Sequence, residues 1–174
     1  MSDYPPIIIV NDKDEPVGEA SMQEAHDEGL IHRVVWVIAE DEAGKVLLQK
    51  RGPNVVTYPG RWDFSAAGHV DAGEDYDAAA YREMEEELGL SGNYELKELE
   101  YYYDEEIYEG RKLNRFIKLF KVVVPIGIEI IPEANEITAV KWLDRDGIVK
   151  MLTSSEKVTP DFRVRLEKYY LSQP

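Results

Sequence analysis

The sequence predicts an α/β fold, a mixed β-sheet with helices on both faces. Three observations predict it: the chain is rich in strand-like apolar segments, it carries one strong helix near its middle, and it ends in two short helices. With 174 residues, 44% of them hydrophobic, it can bury one sizeable core but is short for two. Residues 1–174 are therefore expected to form a single domain without linkers, repeats or low-complexity segments.

Ile7–Val10 reads as a first strand, followed by an Asn11-Asp12-Lys13-Asp14 turn. A short helix begins near Met22, with Ser21 and Glu24 forming a capping box and Gly29 marking the end. Residues 32–39 and 45–51 read as strands joined by a Glu42-Ala43-Gly44 turn, and residues 53–61, rich in turn formers, as a loop leading into 62–70. A helix spans about 78–88, with Tyr81, Met84 and Leu88 as the stripe to bury and Gly89 as its left-handed stop. Residues 94–103 and 113–124 read as strands around an acidic loop, 104–111, and 137–143 as another strand. Short helices are expected near 147–152 and 161–171. The last has Thr159 as N-cap, Pro160 at the first helical position, and Phe162, Leu166, Tyr169 and Tyr170 facing inward.

Twenty Lys plus Arg against 35 Asp plus Glu give a net charge of −15. Sequence-independent affinity for nucleic acid rests on basic residues meeting phosphates, so a nucleic-acid polymer is excluded as a partner. A small anionic substrate would have to be met by metal ions and a few local cations. The absence of cysteine removes disulfides, thiolate metal sites and cysteine nucleophiles together, and fits a cytoplasmic protein. The N-terminus, MSDYPPIIIVNDKDE, has neither a basic region before an apolar core nor a small-residue cleavage site, so no signal peptide is expected. The longest apolar stretch, 122–131, is interrupted by Pro125 and Glu129 and is too short to span a membrane.

Residues 68–90, GHVDAGEDYDAAAYREMEEELGL, carry the chemistry. Helical spacing puts Glu83, Glu86 and Glu87 on one face as a carboxylate cluster. Like charges so placed destabilise a helix by roughly 0.2–0.5 kcal/mol per pair, and a hard divalent ion with a preference for oxygen is their natural counterpart. With Gly68, Glu74, Arg82-Glu83, Met84, Glu86-Glu87, Gly89 and Leu90 at these spacings, the stretch resembles the complete signature of the Nudix hydrolase superfamily. A chance match is of order one in 10⁵ even with the glutamate odds doubled, which disfavours a merely solvated acidic helix.

The resemblance implies an α/β/α sandwich and a Mg²⁺- or Mn²⁺-dependent hydrolase. Glu83, Glu86 and Glu87 would face the metal, with the Gly68 carbonyl as a further ligand. Arg82 and Glu74 would orient those ligands. The substrate would be a small organic diphosphate, such as a nucleoside diphosphate derivative, with water attacking phosphorus. The water-activating group is Glu83 or a glutamate from elsewhere, with Glu136, Glu105 and Glu106 as options against their reading as solvated charges. Arg51 is either a bidentate phosphate clamp or a surface charge. Trp62 and Tyr58 flank the loop as core residues or as a stacking platform, and Tyr101 to Tyr103 are alternating strand residues or a homodimer contact. Specificity is expected from loops 53–61 and 104–111, and the substrate's identity does not follow from the fold.

HRVVWVIAEDEAGKVLLQKR and YPGRWDFSAAGHV further resemble type-I isopentenyl-diphosphate isomerase and the Nudix hydrolases nearest to it, over about residues 11–90. That isomerase holds a metal with three histidines and two glutamates. His26, His32 and His69 fall at or beside the histidine positions, His26 one residue out of register, and hydrogen-bonded packing is their alternative role. Four departures disfavour isomerisation. Ala67 stands where the isomerase has its essential cysteine, Leu113 and Arg115 align with the two glutamates, Val55 replaces a lysine beside the diphosphate although Arg51 is retained, and the glutamate cluster that isomerases relax is whole. An isomerase-like protein and a nucleotide-binding module without turnover remain the alternatives to the hydrolase. The lack of a basic helix argues against a DNA-binding regulator.

Overall fold

The computed structural model describes residues 5–172, so the first four residues of the N-terminal segment read as leaderless lie outside it. Its strands are β1 Ile7–Val10, β2 Pro16–Ala20, β3 His32–Asp41, β4 Val46–Arg51, β5 Trp62–Asp63, β6 Ala66–His69, β7 Lys97–Tyr108, β8 Arg111–Val124 and β9 Ile137–Leu143. The helices are α1 Met22–Glu28, α2 Tyr76–Leu88, α3 Arg145–Thr153 and α4 Pro160–Leu166, the last running into a π-helical turn, Glu167–Leu171.

β3 is the axis of the mixed sheet. One edge pairs in parallel with β8 from His32 opposite Arg115 to Asp41 opposite Val124. Its other neighbours are antiparallel and take successive segments: β1 at His32, β6 from Val34 to Val37, and β4 at Glu40. β4 continues outward to β5 and β9, and β8 to β7.

The two-residue period of β3 sorts its side chains between two cores. Val35, Val37 and Ala39 pack with Phe120, Val122 and the inner face of α2, including Tyr76, Ala79, Ala80, Met84 and Leu88. Val34, Trp36 and Ile38 pack on the other side with Phe64, Ile117, Ile148, Phe162 and Leu166, which brings α3 and α4 onto that face. The result is the expected α/β/α sandwich. Met84 and Leu88 are fully buried, a contribution of about 1.5–3 kcal/mol each that fixes the rotation of α2 against the sheet. No described helix is long and apolar enough to cross a membrane.

Several local expectations change. The acidic segment 104–111 is strand rather than loop: β7 starts later than expected and runs to Tyr108, and the hairpin turns at Glu109-Gly110, both with positive φ. Asp104 and Glu106 are tolerated there because Arg115 crosses from β8 to pair with both, at 2.6 and 3.1 Å. β2 was not expected, since PVGEA is mostly exposed and owes its conformation to pairing with β1. Tyr81 is not on the buried stripe; it lies on the exposed side and donates its hydroxyl to the Tyr94 carbonyl. Segment 62–70 divides into β5 and β6. α2 starts two residues earlier, capped by Asp75, whose side chain accepts from the Ala78 amide at 2.8 Å. Thr159 sits at the N-cap of α4, but its hydroxyl donates to Asp63 at 2.6 Å instead of capping, and α4 gives way to the π turn after Leu166.

Candidate metal centre

β6 and α2 build the glutamate cluster together. Ala66 belongs to the core under α2 and Ala67 to the opposite one, so alternation turns Gly68 toward α2 and His69 away from it. Glu83 lies directly over Gly68. A Cβ on Gly68 would sit 1.9 Å from Glu83 Oε1 and 2.1 Å from its Cδ, so any larger residue here would push the Glu83 carboxylate out of its place. At the far end of α2, Gly89 takes the left-handed conformation at φ 69° and closes the helix through its N–H to Glu85.

Arg82 ties this cluster to the preceding loop. Its Nε and Nη2 donate to the two oxygens of Glu74 at 2.9 and 3.0 Å, Nη1 donates to Glu83 at 2.7 Å and Glu86 at 3.1 Å, and Nη2 also reaches the His69 carbonyl at 2.8 Å. The three glutamates are not equivalent. Glu83 and Glu87 are buried, whereas the Glu86 side chain is 59% exposed and rests at the rim against Arg82. Glu87 is aimed by the Ala67 amide at 2.8 Å and the Gln49 amide at 3.1 Å, both donating to the same oxygen. Burial pushes the Glu83 carboxyl up to about 7 against the opposing pull of Arg82, with Glu86 and Glu136 adding to the rise. Burial, and then the Glu83 charge, push Glu87 well above the carboxylate range. Two such carboxylates side by side have less charge compensation within the chain than their ionised forms need, and a bound cation would supply it.

Among the other candidates, Glu136 lies close enough for its charge to act on both Glu83 and Glu87, and its carbonyl accepts the Gly52 amide at 2.6 Å. Glu105 and Glu106 are engaged elsewhere, Glu105 with the Tyr103 hydroxyl and Glu106 with Arg115 and the Tyr58 hydroxyl. Arg51 is not a bare surface charge, and its guanidinium is already engaged within the chain. It holds loop 53–61 through the Thr57 carbonyl at 2.8 Å and hydroxyl at 3.2 Å, and pairs with Asp63 at 3.0 Å. It nonetheless lines a cavity with Arg115, Ala67 and Tyr58. Trp62 is buried, so it serves the core.

His26, His32 and His69 come together from α1, β3 and β6. Their ring centroids are 5.2–5.5 Å apart, and one ligand atom from each lies within 4.8 Å of the others. Desolvation lowers His26 and His32 to about 4 and His69 well below its ordinary value, with Arg115 contributing at all three, so the imidazoles are neutral near pH 7. The Nε2 atoms of His26 and His32 are buried without a hydrogen-bond partner among the described residues.

A family model for the NUDIX domain matches residues 30–162. The chain belongs to the Nudix family. It is 34% identical over 155 residues to the uncharacterized Nudix hydrolase YfcD of Escherichia coli K12, a match covering 88% of this chain and 79% of that protein. It is also 31% identical over 141 residues to an isopentenyl-diphosphate Delta-isomerase of Burkholderia multivorans, covering 79% and 77% respectively. Against three further curated relatives the chain spans about half of their length, 46% to 54%. The crystal structure of DR0079 from Deinococcus radiodurans superimposes with a TM-score of 0.74 at 21% identity, covering 95% of this chain and 99% of that one, which establishes likeness of fold.

Two residues of this Nudix domain escaped sequence reasoning, and a third was read only as a departure from the isomerase. Gln49 aims Glu87 from β4, Asp63 anchors both Arg51 and Thr159, and Arg115, noted in the sequence only for standing at an isomerase carboxylate position, is the register partner of His32. Each acts across the sheet at large sequence separation, where no local spacing signals it.

Proposed function

We propose that this protein hydrolyses a small organic diphosphate, a nucleoside diphosphate derivative foremost, by metal-assisted attack of water on phosphorus. The observation that carries the reading is the buried Glu83–Glu87 pair, with Glu83 set in the space that a side chain at Gly68 would take and bordered by Arg82. This donor set, all oxygen and anionic, fits Mg²⁺ or Mn²⁺. Glu83, Glu86, Glu87 and the Gly68 carbonyl would hold the ion. When bound, the ion neutralises phosphate charge and lowers the pKa of a coordinated water.

The chain's own residues do the rest. Arg82, locked onto Glu74 by two hydrogen bonds, positions Glu83 and Glu86 and keeps loop 69–74 against α2. The Ala67 amide and Gln49 hold Glu87 in one orientation. Glu136, whose charge reaches Glu83 and Glu87, would take a proton from the attacking water, and Glu83 is the other candidate base. With a net charge of −15, the protein needs bound cations and Arg51 to receive an anionic substrate. We assign this cysteine-free chain to the cytoplasm.

Similarity to an isomerase favours a second reading, but Ala67 offers only a methyl group where that chemistry needs an acid, and no cysteine exists elsewhere to replace it. The test is incubation of pure protein with a panel of nucleotides and diphosphate esters, including isopentenyl diphosphate, with Mg²⁺ or with EDTA. Metal-dependent release of phosphate or monophosphate supports hydrolysis. Allylic rearrangement without phosphate release supports the isomerase, and binding without product, unchanged by Glu86→Gln and Glu87→Gln, supports a non-catalytic module.

A further inference from the structure

β6 and β4 share one edge of β3, β6 at Val34–Val37 and β4 at Glu40, and Glu87 bridges the two strands by accepting from the Gln49 and Ala67 amides. Ala67 faces two ways. Its amide holds the carboxylate, while its methyl group packs against the α4-facing core and lines a cavity with Trp36, Tyr58, Phe64, Arg115 and Asp161. Arg51 lines the same cavity, and its charge acts on Glu87. We infer that this cavity receives the organic group attached to the diphosphate and selects a hydroxylated one, with Arg115 donating to a hydroxyl oxygen and Asp161 accepting a hydroxyl proton. Diphosphate binding at the glutamates, as proposed, is what brings the group there, so this inference depends on it.

The donor is Arg115. Its Nη2 is held by Asp104 at 2.6 Å and Glu106 at 3.1 Å, whereas its Nε–H is buried with no partner among the described residues. A buried donor left unpaired is costly, so a ligand gains by offering it an oxygen. The acceptor is Asp161, which lines the same cavity. Burial pushes its carboxyl up, and Arg115 is the strongest of the charges opposing that rise, which sets the two groups close together. Asp161 Oδ1 also accepts from Arg165 at 3.2 Å, which anchors the carboxylate.

Charge balance favours a neutral ligand group. Arg115 is offset by Asp104 and Glu106, Arg51 by Asp63, and Asp161 by Arg165, so a further anion gains little. A hydroxyl both accepts and donates, and matches the unlike pair that Arg115 and Asp161 present. A hydrocarbon chain would leave the Arg115 donor unpaired and strip water from Asp161 without replacing it. The remaining walls are flat and apolar. Trp36 and Phe64 stack at 4.5 Å, and Tyr58 is fixed by its hydroxyl on Glu106 and its ring against Tyr108, a surface suited to the C–H face of a sugar or polyol. The cavity volume of about 60 Å³ is room for roughly two waters, and so for two hydroxyl groups.

Calorimetric titration with Ca²⁺ in place of Mg²⁺, which slows turnover, reads binding apart from hydrolysis. ADP is compared with 2′,3′-dideoxy-ADP, and the glycerol ester of ADP with its propyl ester; isopentenyl diphosphate is the apolar reference. In at least one pair the hydroxylated member should bind about tenfold or more tightly than its deoxygenated partner, and more tightly than isopentenyl diphosphate. A gap in the first pair puts the nucleoside's own sugar in the cavity; a gap in the second puts there the group beyond the second phosphate. Arg115→Lys keeps a cation for Asp104 and Glu106 but removes Nε–H, and Asp161→Asn removes the charged acceptor. Each, checked for folding by circular dichroism, should shrink the gap below about threefold, whereas a merely structural role would weaken both members of a pair alike. Equal binding within both pairs, no binding of either hydroxylated ligand, tightest binding of isopentenyl diphosphate, or an undiminished gap in the folded variants would overturn the inference. A gap in binding with no turnover in Mg²⁺ would sink hydrolysis instead and leave the selectivity of the cavity standing.

Discussion

Gly68→Ala tests the architecture of the glutamate site with a single methyl group. The alanine Cβ would lie 1.9 Å from Glu83 Oε1, and real contacts do not fall below 3.0 Å, so that oxygen must retreat by about 1.1 Å. The residue's φ is not in the left-handed region, so the backbone accepts alanine and the clash is the whole perturbation. A displacement of about 1 Å at a reacting centre costs on the order of 10²-fold in rate. Stability should move less. The expelled carboxyl loses its Arg82 hydrogen bond but escapes the burial that had raised its pKa, leaving a change within about 2 kcal/mol. The assay is kcat on the best substrate of the panel, together with thermal unfolding. Gly18→Ala, on an exposed strand with nothing within 4 Å of the new methyl, is the control and should match wild type. In a Glu83→Ala background, Gly68→Ala should have little further effect, since the colliding group is gone. Full activity of Gly68→Ala, or an equal loss in the Glu83→Ala background, would refute the reasoning.

Three other outcomes follow from the same structure. The Glu83 carboxyl titrates near 7 in the folded metal-free protein against an ordinary 4.5, so the folded state binds the extra proton and stability from this group declines as pH rises from about 4.5 through about 7. The lowered histidines act with the opposite sign, so urea midpoints should be compared with those of Glu83→Gln; wild type should lose stability relative to the variant across that window, and excess Mg²⁺ should remove the difference. Glu100 accepts from Arg165, Lys168 and Tyr169 and joins β7 to the C-terminal helical segment; Glu100→Gln should lower unfolding free energy by about 1.5–3 kcal/mol in denaturant titrations while leaving kcat within twofold. Asp63→Ala releases both Arg51 and Thr159, and steady-state kinetics should show KM rising several-fold, by roughly 1 kcal/mol in apparent binding, with a smaller change in kcat; a kcat effect alone would remove Arg51 from the substrate side of the site.

What the sequence made legible was local. The i, i+3 and i+4 spacing of Glu83, Glu86 and Glu87, the glycine stops at Gly29 and Gly89, and the strand at Ile7–Val10 all depend on neighbours a few residues away, and the fold reproduces them. Helical periodicity alone could not separate Glu86 from its companions. Its exposure depends on where β6 lies beneath α2, a tertiary fact. The acidic segment 104–111 was misread for the same reason, because the charge that makes it a strand, Arg115, comes from the partner strand. Arg51 was legible as important but not in what it touches, since Thr57 and Asp63 reach it through a loop and a strand pairing with no sequence signature. The histidines were legible as a set through resemblance, whereas the Nε2 atoms of His26 and His32, unpartnered among the described residues, emerged only when α1, β3 and β6 were placed together.

The most direct measurement is anomalous diffraction from crystals grown with Mn²⁺ and a slowly hydrolysed diphosphate analogue. The expected result is a manganese peak bound by Glu83, Glu86, Glu87 and the Gly68 carbonyl and bridged to the phosphate oxygens, with Arg82 retained on Glu74. Phosphate bound elsewhere in an active protein, with those carboxylates still resting on Arg82 and no manganese among them, would contradict it.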